Sequence, residues 1–240
     1  SVSVDLIYGL PHQTLDSIKP TIDTVLSLDP DRLALYHYAH LPHIFKPQRR
    51  IDTNVVPGSE EKLDMLQYCV QTLTERGYVF IGMDHFAKPD DELSIALKEG
   101  FLQRNFQGYS TYADCDLVAI GVSSIGKIGS TYSQNERDID AYYAALDAGH
   151  LPIMRGYQLN QDDILRRNII QDLMCRFSLD YRIYESVFGI PFSRYFAVEL
   201  EDMKQLETLG LVRLKPHSLT VTPKGRFLIR NIAMVFDYHL

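Results

Sequence analysis

The 240-residue sequence has little cysteine, no long apolar run and no excess of positive charge. Its three cysteines, Cys69, Cys115 and Cys175, are far apart and show no CxxC or CxxxCxxC spacing. This excludes a cysteine metal motif within the sequence and indicates buried thiols in a reducing compartment. No apolar run approaches the roughly 18 residues of a membrane span. We therefore expect a cytoplasmic protein without a membrane span.

Basic residues are outnumbered, with 24 Lys and Arg against 31 Asp and Glu, for a net charge of −7. This balance argues against a broad phosphate-binding surface, so nucleic acid is not an expected main partner. A local basic patch could still hold an anionic ligand.

The N-terminal "SVSVDLIYGLP" has neither the basic nor the apolar region of a signal peptide and begins inside an expected strand. This beginning suggests a fragment of a longer protein. Strands predicted at 2–9, 31–38, 78–84 and 115–126 alternate with helical patterns, which indicates βαβ crossovers and an α/β fold with a parallel sheet. The segment 115–126, apolar at nearly every position, is predicted to be buried on both faces. Four strands are too few for an eight-stranded barrel, so the sheet is open or its missing strands precede residue 1.

The composition changes near Asn135, where a helix and a linker, "LPIMRGYQLN", lead into a mainly helical remainder. The terminal "GLVRLKPHSLTVTPKGRFLIRNIAMVF" predicts a helix end, strand, turn, strand and helix, an order typical of a winged helix. The sequence thus predicts two domains, 1–150 and 151–240.

Histidines recur every third position in "HYAHLPH", as His37, His40 and His43. Three ligands on one loop can bind zinc. However, Pro42 disrupts helical spacing, and we expect structural or ligand-lining histidines.

Asp84 and His85 lie at the end of a predicted strand in "GMDHFAKPDDEL". Adjacent strand residues point to opposite faces, so the two cannot serve one substrate as an acid–base pair if the strand continues through them. The following acids have a simpler interpretation, in which Asp90 or Asp91 caps a helix.

Asp5 is an acid within an apolar strand. A buried carboxylate needs a partner, so Asp5 either pairs with a helix or an arginine, or accepts from hydroxyl or ammonium groups of a ligand. These two alternatives are equally open.

Two loops contain further candidate binding residues. Arg49 and Arg50 follow Lys46 in "FKPQRRID", and clustered cations suit carboxylate or phosphate recognition, although a solvated basic loop is the default. The polar and aromatic "RNFQGYSTY", which includes Gln107, is predicted to line a pocket.

Several segments together resemble one family: "DLIYGLPHQT", "HYAHLPHIFKPQRRI", "FIGMDHFAKPDDELSIA", "RNFQGYST", "GVSSIGKIG" and "TPKGRFLIRNIAMVFD". They are similar to oxygen-independent coproporphyrinogen III oxidase (coproporphyrinogen dehydrogenase), a radical S-adenosylmethionine enzyme of haem biosynthesis. The resemblance covers essentially the whole sequence. It implies the C-terminal part of a partial (β/α) radical-SAM barrel, followed by a mainly helical, winged-helix-like domain that covers the active site.

The resemblance also implies cofactors. Two S-adenosylmethionine molecules are expected at the barrel mouth, with Asp5, Ala39 and Ile125 at cofactor-binding positions. The 4Fe–4S cluster is expected on a CxxxCxxC motif in an absent N-terminal part, so no metal is expected in this chain, and the chain alone is expected to be inactive.

The implied reaction converts two propionates of coproporphyrinogen III to vinyl groups, giving protoporphyrinogen IX by a 5′-deoxyadenosyl radical mechanism with an electron donor and an acceptor. Gln107, Arg49 and Arg50 are candidate substrate-binding residues, and no catalytic residue is identified. Two alternatives remain: a haem chaperone of the same superfamily, and a DNA-binding regulator that uses the wing.

Overall fold

The computed structural model describes residues 1–112 and 115–239. The chain divides into two compact units, Ser1–Glu99 and Gly100–Leu240, called here the N-terminal unit and the C-terminal unit. The predicted domains have their boundary at 150/151 instead, and that boundary stays a prediction. No described helix has both the length and the apolar character to cross a membrane.

The N-terminal unit follows the predicted βαβ order. Its elements are β1 (Ser3–Tyr8), α1 (Leu15–Ser27), β2 (Arg32–His37), α2 (Ser59–Glu75), β3 (Val79–Gly82), β4 (His85–Ala87) and α3 (Glu92–Glu99). Strands β1 and β2 are parallel neighbours, as βαβ units require. The first three predicted strands and their helices are thus confirmed.

One face of this sheet packs against α1 and α2. The core includes Leu33 and Leu35 of β2, Ile18 and Ile22 of α1 and Met65 of α2, all at most 2% exposed. Helix α1 begins at a capping box, in which Thr14 and Ser17 exchange side-chain and main-chain hydrogen bonds. The helices therefore cover one side of the sheet.

The all-parallel arrangement expected for the sheet is wrong in one respect. The strand order is β1-β2-β4-β3, and β4 is antiparallel to both of its neighbours. The chain reverses directly after β3 through Met83, which has a left-handed φ of 51°, and β4 then inserts between β2 and β3. Strands β1, β2 and β3 still run in one direction.

The C-terminal unit contains three small sheets and seven helices among the described residues. Its elements are β5 (Gln103–Asn105), β6 (Gly108–Ser110), β7 (Ile125–Ile128), β8 (Thr131–Asn135), α4 (Ile139–Asp147), β9 (Ile153–Gln158), α5 (Gln161–Arg176), β10 (Ser178–Asp180), α6 (Tyr181–Phe188), α7 (Phe192–Tyr195), α8 (Ala197–Thr208), β11 (Val212–Lys215), β12 (Ser218–Val221), α9 (Pro223–Arg226) and α10 (Ile229–Met234).

Two predictions for this unit are wrong. The segment 115–126 is not a doubly buried strand: Leu117 forms an isolated bridge to Lys127, while Val118 and Ile120 are 68% and 83% exposed. The predicted linker "LPIMRGYQLN" contains β9, which pairs with β8. Every residue of β9 is exposed, so the apolar periodicity of a half-buried strand is absent there.

The terminal segment folds as predicted. Helix α8 leads into the antiparallel pair β11 and β12, and α9 and α10 follow. Strand β10 adds a third strand beside β12. Phe192, Phe196 and Phe236 are fully buried and contact one another, which forms the core of this part.

Candidate functional site

The second face of the N-terminal sheet is open at β1 and β2. Side chains alternate along β1, so Val4, Leu6 and Tyr8 turn toward the helix-covered core and Asp5 and Ile7 turn away. Asp5 is exposed, and no hydrogen bond or ion pair joins its carboxylate to another described residue. The expected burial of Asp5 is therefore wrong for the described chain, and of the two alternatives a structural partner is not found among the described residues, while ligand binding stays a prediction.

The loop after β2 is held by two side chains from the 3₁₀ turn Lys46–Arg50. Gln48 Nε2 donates to the Ala39 carbonyl at 3.0 Å, and Gln48 Oε1 accepts from the Leu41 N–H at 2.6 Å. Arg49 Nε donates to the Pro42 carbonyl at 2.9 Å. Ala39 is thus positioned through its main chain, and Arg49 has a structural role in this loop.

The three histidines of this region have separate surroundings. His37 packs edge-on against Tyr8 with ring centroids 5.6 Å apart, and burial, aided by Lys62, lowers the pKa of His37 although Asp84 opposes this. His40 Nδ1 lies 3.3 Å from the Tyr38 hydroxyl, and His43 is exposed. Among the described residues, no group of three His, Cys, Asp or Glu side chains is close enough to hold a metal ion.

The "GMDHFAKPDDEL" segment forms a turn, a strand and a capped helix. Asp91 Oδ1 accepts from the Leu93 N–H at 2.8 Å, which confirms the capping interpretation, and Asp91 Oδ2 accepts from Arg32 Nε at 2.8 Å. His85 packs edge-on against Tyr36 of the open face. Burial raises the pKa of Tyr8, and the charge of Asp84 is the second cause of that shift. The two neighbours thus act in different surroundings.

The C-terminal unit contains a cleft of about 960 Å³, a volume suited to a small organic ligand. It lies between the β5–β6 hairpin, strand β7 with its neighbouring segment, and helix α5. The lining residues include the segment 103–110, Tyr112, Cys115, Asp116, Leu117, Lys127, Tyr132, Arg167, Asn168, Ile170, Gln171 and Met174. The segment that was predicted to line a pocket does so.

Two predicted site residues lie at or near this cleft. Gln107 is exposed at the turn of the β5–β6 hairpin, where its N–H donates to Asn105 Oδ1 at 2.8 Å, and it lines the cleft. Ile125 begins β7 and, two residues before the cleft residue Lys127, faces the same side of that strand. Asp5 and Ala39 belong to the N-terminal unit, where Asp5 pairs with Ala34 in register and Ala39 lies beyond the end of β2.

The sequence did not single out the cationic residues of the cleft. Arg104, Lys127 and Arg167 line it together with the acid Asp116, whose Oδ1 accepts from the Gly129 N–H at 2.8 Å. Arg167 and Gln171 are four residues apart on α5 and so share a helix face, a spacing visible in the sequence. The spacing alone does not show that this helix face lies opposite β5, because only the fold brings them together. The sequence therefore could not identify these residues as part of a cleft.

Comparison with known proteins identifies the kind of fold. A solved structure described as "Coproporphyrinogen III oxidase (HemN) from Escherichia coli is a Radical SAM enzyme" matches 99% of this chain and 55% of that chain, with a TM-score of 0.96 and 48% identity. Residues 159–228 match the model of the HemN C-terminal domain. The fold is therefore that of the C-terminal part of a radical SAM protein, and its described strands do not close a barrel.

Sequence relatives identify the family. The whole chain is 50% identical to the oxygen-independent coproporphyrinogen III oxidase of Pseudomonas aeruginosa, of which it covers 52%. It is 47% identical to that of Thermostichus vulcanus, of which it covers 74%. The chain belongs to the oxygen-independent coproporphyrinogen III oxidase family. It spans about half the length of most of the curated relatives that it matches.

The described residues fit the implied cofactors unequally. An exposed carboxylate, Asp5, beside Ile7 on the open sheet face can accept from the hydroxyl or ammonium groups of S-adenosylmethionine. A 4Fe–4S cluster needs clustered thiolates, but Cys69 and Cys175 are buried and Cys115 is exposed. Burial raises the pKa of the Cys69 and Cys175 thiols to about 12. The described residues thus fit S-adenosylmethionine and do not fit the cluster.

Proposed function

We propose that this chain is the C-terminal part of an enzyme that decarboxylates coproporphyrinogen III to protoporphyrinogen IX in haem biosynthesis. One observation carries the proposal: curated proteins with that activity in their name match the whole chain at 45–50% identity. Each reacting propionate loses one hydrogen atom from its β-carbon, one electron and carbon dioxide, which leaves a vinyl group. An electron donor and an acceptor are required, and the cytoplasm is the proposed location.

The N-terminal part supplies the cluster in this proposal. Strand β1 is at the edge of its sheet among the described residues, so further strands can add beside it and extend the sheet toward a partial barrel. When bound, the cluster and S-adenosylmethionine supply a carbon-centred radical. Two S-adenosylmethionine molecules are proposed.

The chain's own residues bind and orient in this proposal. Asp5 accepts hydrogen bonds from S-adenosylmethionine, and Ala39, held by Gln48, contacts the cofactor through its main chain. Ile125 offers an apolar contact. In these roles the residues bind the cofactor and help to exclude water, which is the protein's contribution to radical chemistry.

Gln107 is the better supported of the proposed substrate contacts, since it lines the cleft. Arg49 and Arg50 are weaker candidates, because Arg49 already donates to a carbonyl and both are exposed on the turn after β2. If Arg49→Ala and Arg50→Ala leave substrate affinity unchanged in the protein expressed from its full reading frame, those two assignments are wrong.

The deciding experiment is anaerobic turnover. The protein expressed from its full reading frame is reconstituted with its cluster and mixed with S-adenosylmethionine, a reductant and coproporphyrinogen III, and mass spectrometry follows the loss of two carbon dioxides. Formation of protoporphyrinogen IX supports the proposal. Absence of turnover combined with tight haem binding would contradict it and indicate a haem chaperone. Salt-sensitive binding of duplex DNA would indicate the regulator instead.

A further inference from the structure

Two arginines in the cleft have buried nitrogens without acceptors. Arg104 Nε, on β5, and Arg167 Nη1, on α5, are shielded from solvent and form no hydrogen bond with the described residues. An arginine nitrogen that is buried and unpaired is costly, because desolvation is not repaid by a hydrogen bond. The cleft therefore has donors for which the described chain supplies no acceptor.

Three other arginines of the same unit are paired with carboxylates of the chain. Arg166 bonds both Asp162 and Glu199 at 2.8 Å, Arg176 lies 3.1 Å from Asp172, and Arg182 lies 2.7 Å from Asp180. Arg226 also has a buried Nε without a partner, but it stacks on Phe177 and does not line the cleft. The unpaired cleft arginines thus differ from the carboxylate-paired arginines around them.

Arg104 is held in place by contacts that supply no acceptor to its guanidinium. Its guanidinium lies over the Tyr109 ring, 5.6 Å from the centroid, and the Tyr109 hydroxyl donates to the Met174 carbonyl at 3.1 Å. The Gln171 side-chain amide bonds to the main chain of Arg104: its oxygen accepts from the Arg104 main-chain N–H at 2.5 Å, and its nitrogen donates to the Arg104 carbonyl at 3.1 Å. Such a position suits recognition of a carboxylate, which accepts two hydrogen bonds from a guanidinium.

The other lining residues indicate a large aromatic anion. Phe106 and Tyr132 pack edge-on at 5.4 Å, and Phe106 and Tyr112 are 57% and 75% exposed. Lys127 adds a third cation, and it forms no ion pair with any residue in the described part of the chain. Exposed aromatic rings beside cations suit a flat tetrapyrrole with carboxylates on its periphery.

We infer that Arg104 and Arg167 bind carboxylates of the tetrapyrrole, and specifically the two propionates that the reaction leaves in place. This inference rests on the proposed function. A carboxylate that departs as carbon dioxide loses its charge, so a guanidinium that binds it stabilises the reactant more than the transition state and slows the reaction. A carboxylate that stays keeps the same contact throughout and anchors the ring without that cost. Charge-assisted pairs therefore belong on the retained propionates.

The test compares two stable porphyrins, which need neither cluster nor turnover. Coproporphyrin III carries all four carboxylates, and protoporphyrin IX carries only the two that remain. Fluorescence titration measures the affinity of the protein, expressed from its full reading frame, for each porphyrin. We expect Arg104→Gln and Arg167→Gln each to lower the affinity for both porphyrins by a similar factor of about 10 to 100. This is the size of the effect of losing one charge-assisted hydrogen bond.

Controls separate charge at the cleft from charge elsewhere. Arg182→Gln removes an exposed arginine that pairs with Asp180, and it should leave both affinities unchanged. A measurement on the unaltered protein is independent of how the variants fold: the dimethyl ester of protoporphyrin IX should bind at least about 10-fold more weakly than the acid in the same detergent buffer.

Each contrary result identifies what is wrong. Unchanged affinities in both cleft variants, or an ester that binds as tightly as the acid, would overturn the carboxylate site. Loss of coproporphyrin affinity alone would place the arginines on the departing propionates and overturn the assignment made here. If the unaltered protein turns over but any of these contrary results is found, only the inference is wrong. If the unaltered protein neither binds coproporphyrin nor turns over, the proposed function itself is wrong.

Discussion

Replacement of Gly225 by alanine should destabilise the winged part of the C-terminal unit strongly. Gly225 lies in α9, and a Cβ at this position would overlap the Leu211 carbonyl oxygen and lie 2.9 Å from both the Leu211 carbonyl carbon and Val221 Cγ1. Leu211 and Val221 are each 4% exposed, so neither can move away into solvent. The backbone itself must shift to admit one methyl group.

The size of the effect follows from what the Leu211 carbonyl does. It accepts from the Thr222 N–H at 2.9 Å and from the Thr222 hydroxyl at 3.1 Å. Overpacking of a core costs about 1–3 kcal/mol, and each lost hydrogen bond adds about 1 kcal/mol. We therefore expect Gly225→Ala to lower the free energy of unfolding of this part by ~3–5 kcal/mol.

Hydrogen exchange measures this locally, without assuming that a multidomain protein unfolds in one step. Peptides that span residues 211–222 should exchange about 100- to 4,000-fold faster in Gly225→Ala, because each 1.4 kcal/mol is about a factor of ten. Gly189→Ala is the matched control, because Gly189 has a φ of +67° and open space around it, so only a left-handed backbone penalty of ~1–2 kcal/mol applies. If the two substitutions destabilise the protein equally, steric overlap at Gly225 is not the reason.

Three further predictions concern the C-terminal unit. Arg166→Met should lower stability by ~2–4 kcal/mol in urea unfolding, because Asp162 and Glu199 lose their shared partner; an effect below that of the exposed Arg182→Met would contradict this. The hydrogen bond from the Asn160 N–H, with help from His239 and Tyr157, lowers the pKa of Asp163. The ionised Asp163 therefore contributes fully to stability above its unfolded-state pKa near 4, and this contribution is lost as pH falls through the lower folded-state pKa. Asp163→Asn should therefore flatten the acid side of the stability profile, and a profile parallel to that of the unaltered protein would refute the linkage. Cys115 is the one exposed cysteine of the three and lines the cleft, so peptide mapping should show alkylation there first and slower alkylation with coproporphyrin III bound; equal rates with and without porphyrin would place the ligand elsewhere.

Periodicity alone predicted the elements that bury one clear face. Strand β1 alternates, and α1 repeats Ile18, Ile22 and Val25 toward the core, so local pattern and tertiary packing agree. The winged segment was predicted for the same reason, with turn residues between its two strands. Asp91 was predicted as a cap because capping depends only on a few neighbouring residues.

The missed elements depend on distant parts of the chain. Strand β4 has three residues and inserts between β2 and β3, which no local period can show. The segment around Val118 and Ile120 is apolar yet exposed in the described chain, so its composition indicated a burial that its packing does not provide. Asp5 was assigned correctly to a strand, but which face of that strand is covered depends on the helices.

The cleft cations show how a site can be hidden by the overall charge of a protein. The chain has a net charge of −7, but it supplies carboxylates to Arg166, Arg176 and Arg182 and none, within the described residues, to Arg104 or Arg167. What distinguishes the two cleft arginines is that each has a buried nitrogen, Arg104 Nε and Arg167 Nη1, without an acceptor among the described residues, which indicates a position for an external anion. The side-chain partners of each charge, more than the total, therefore locate the anion site.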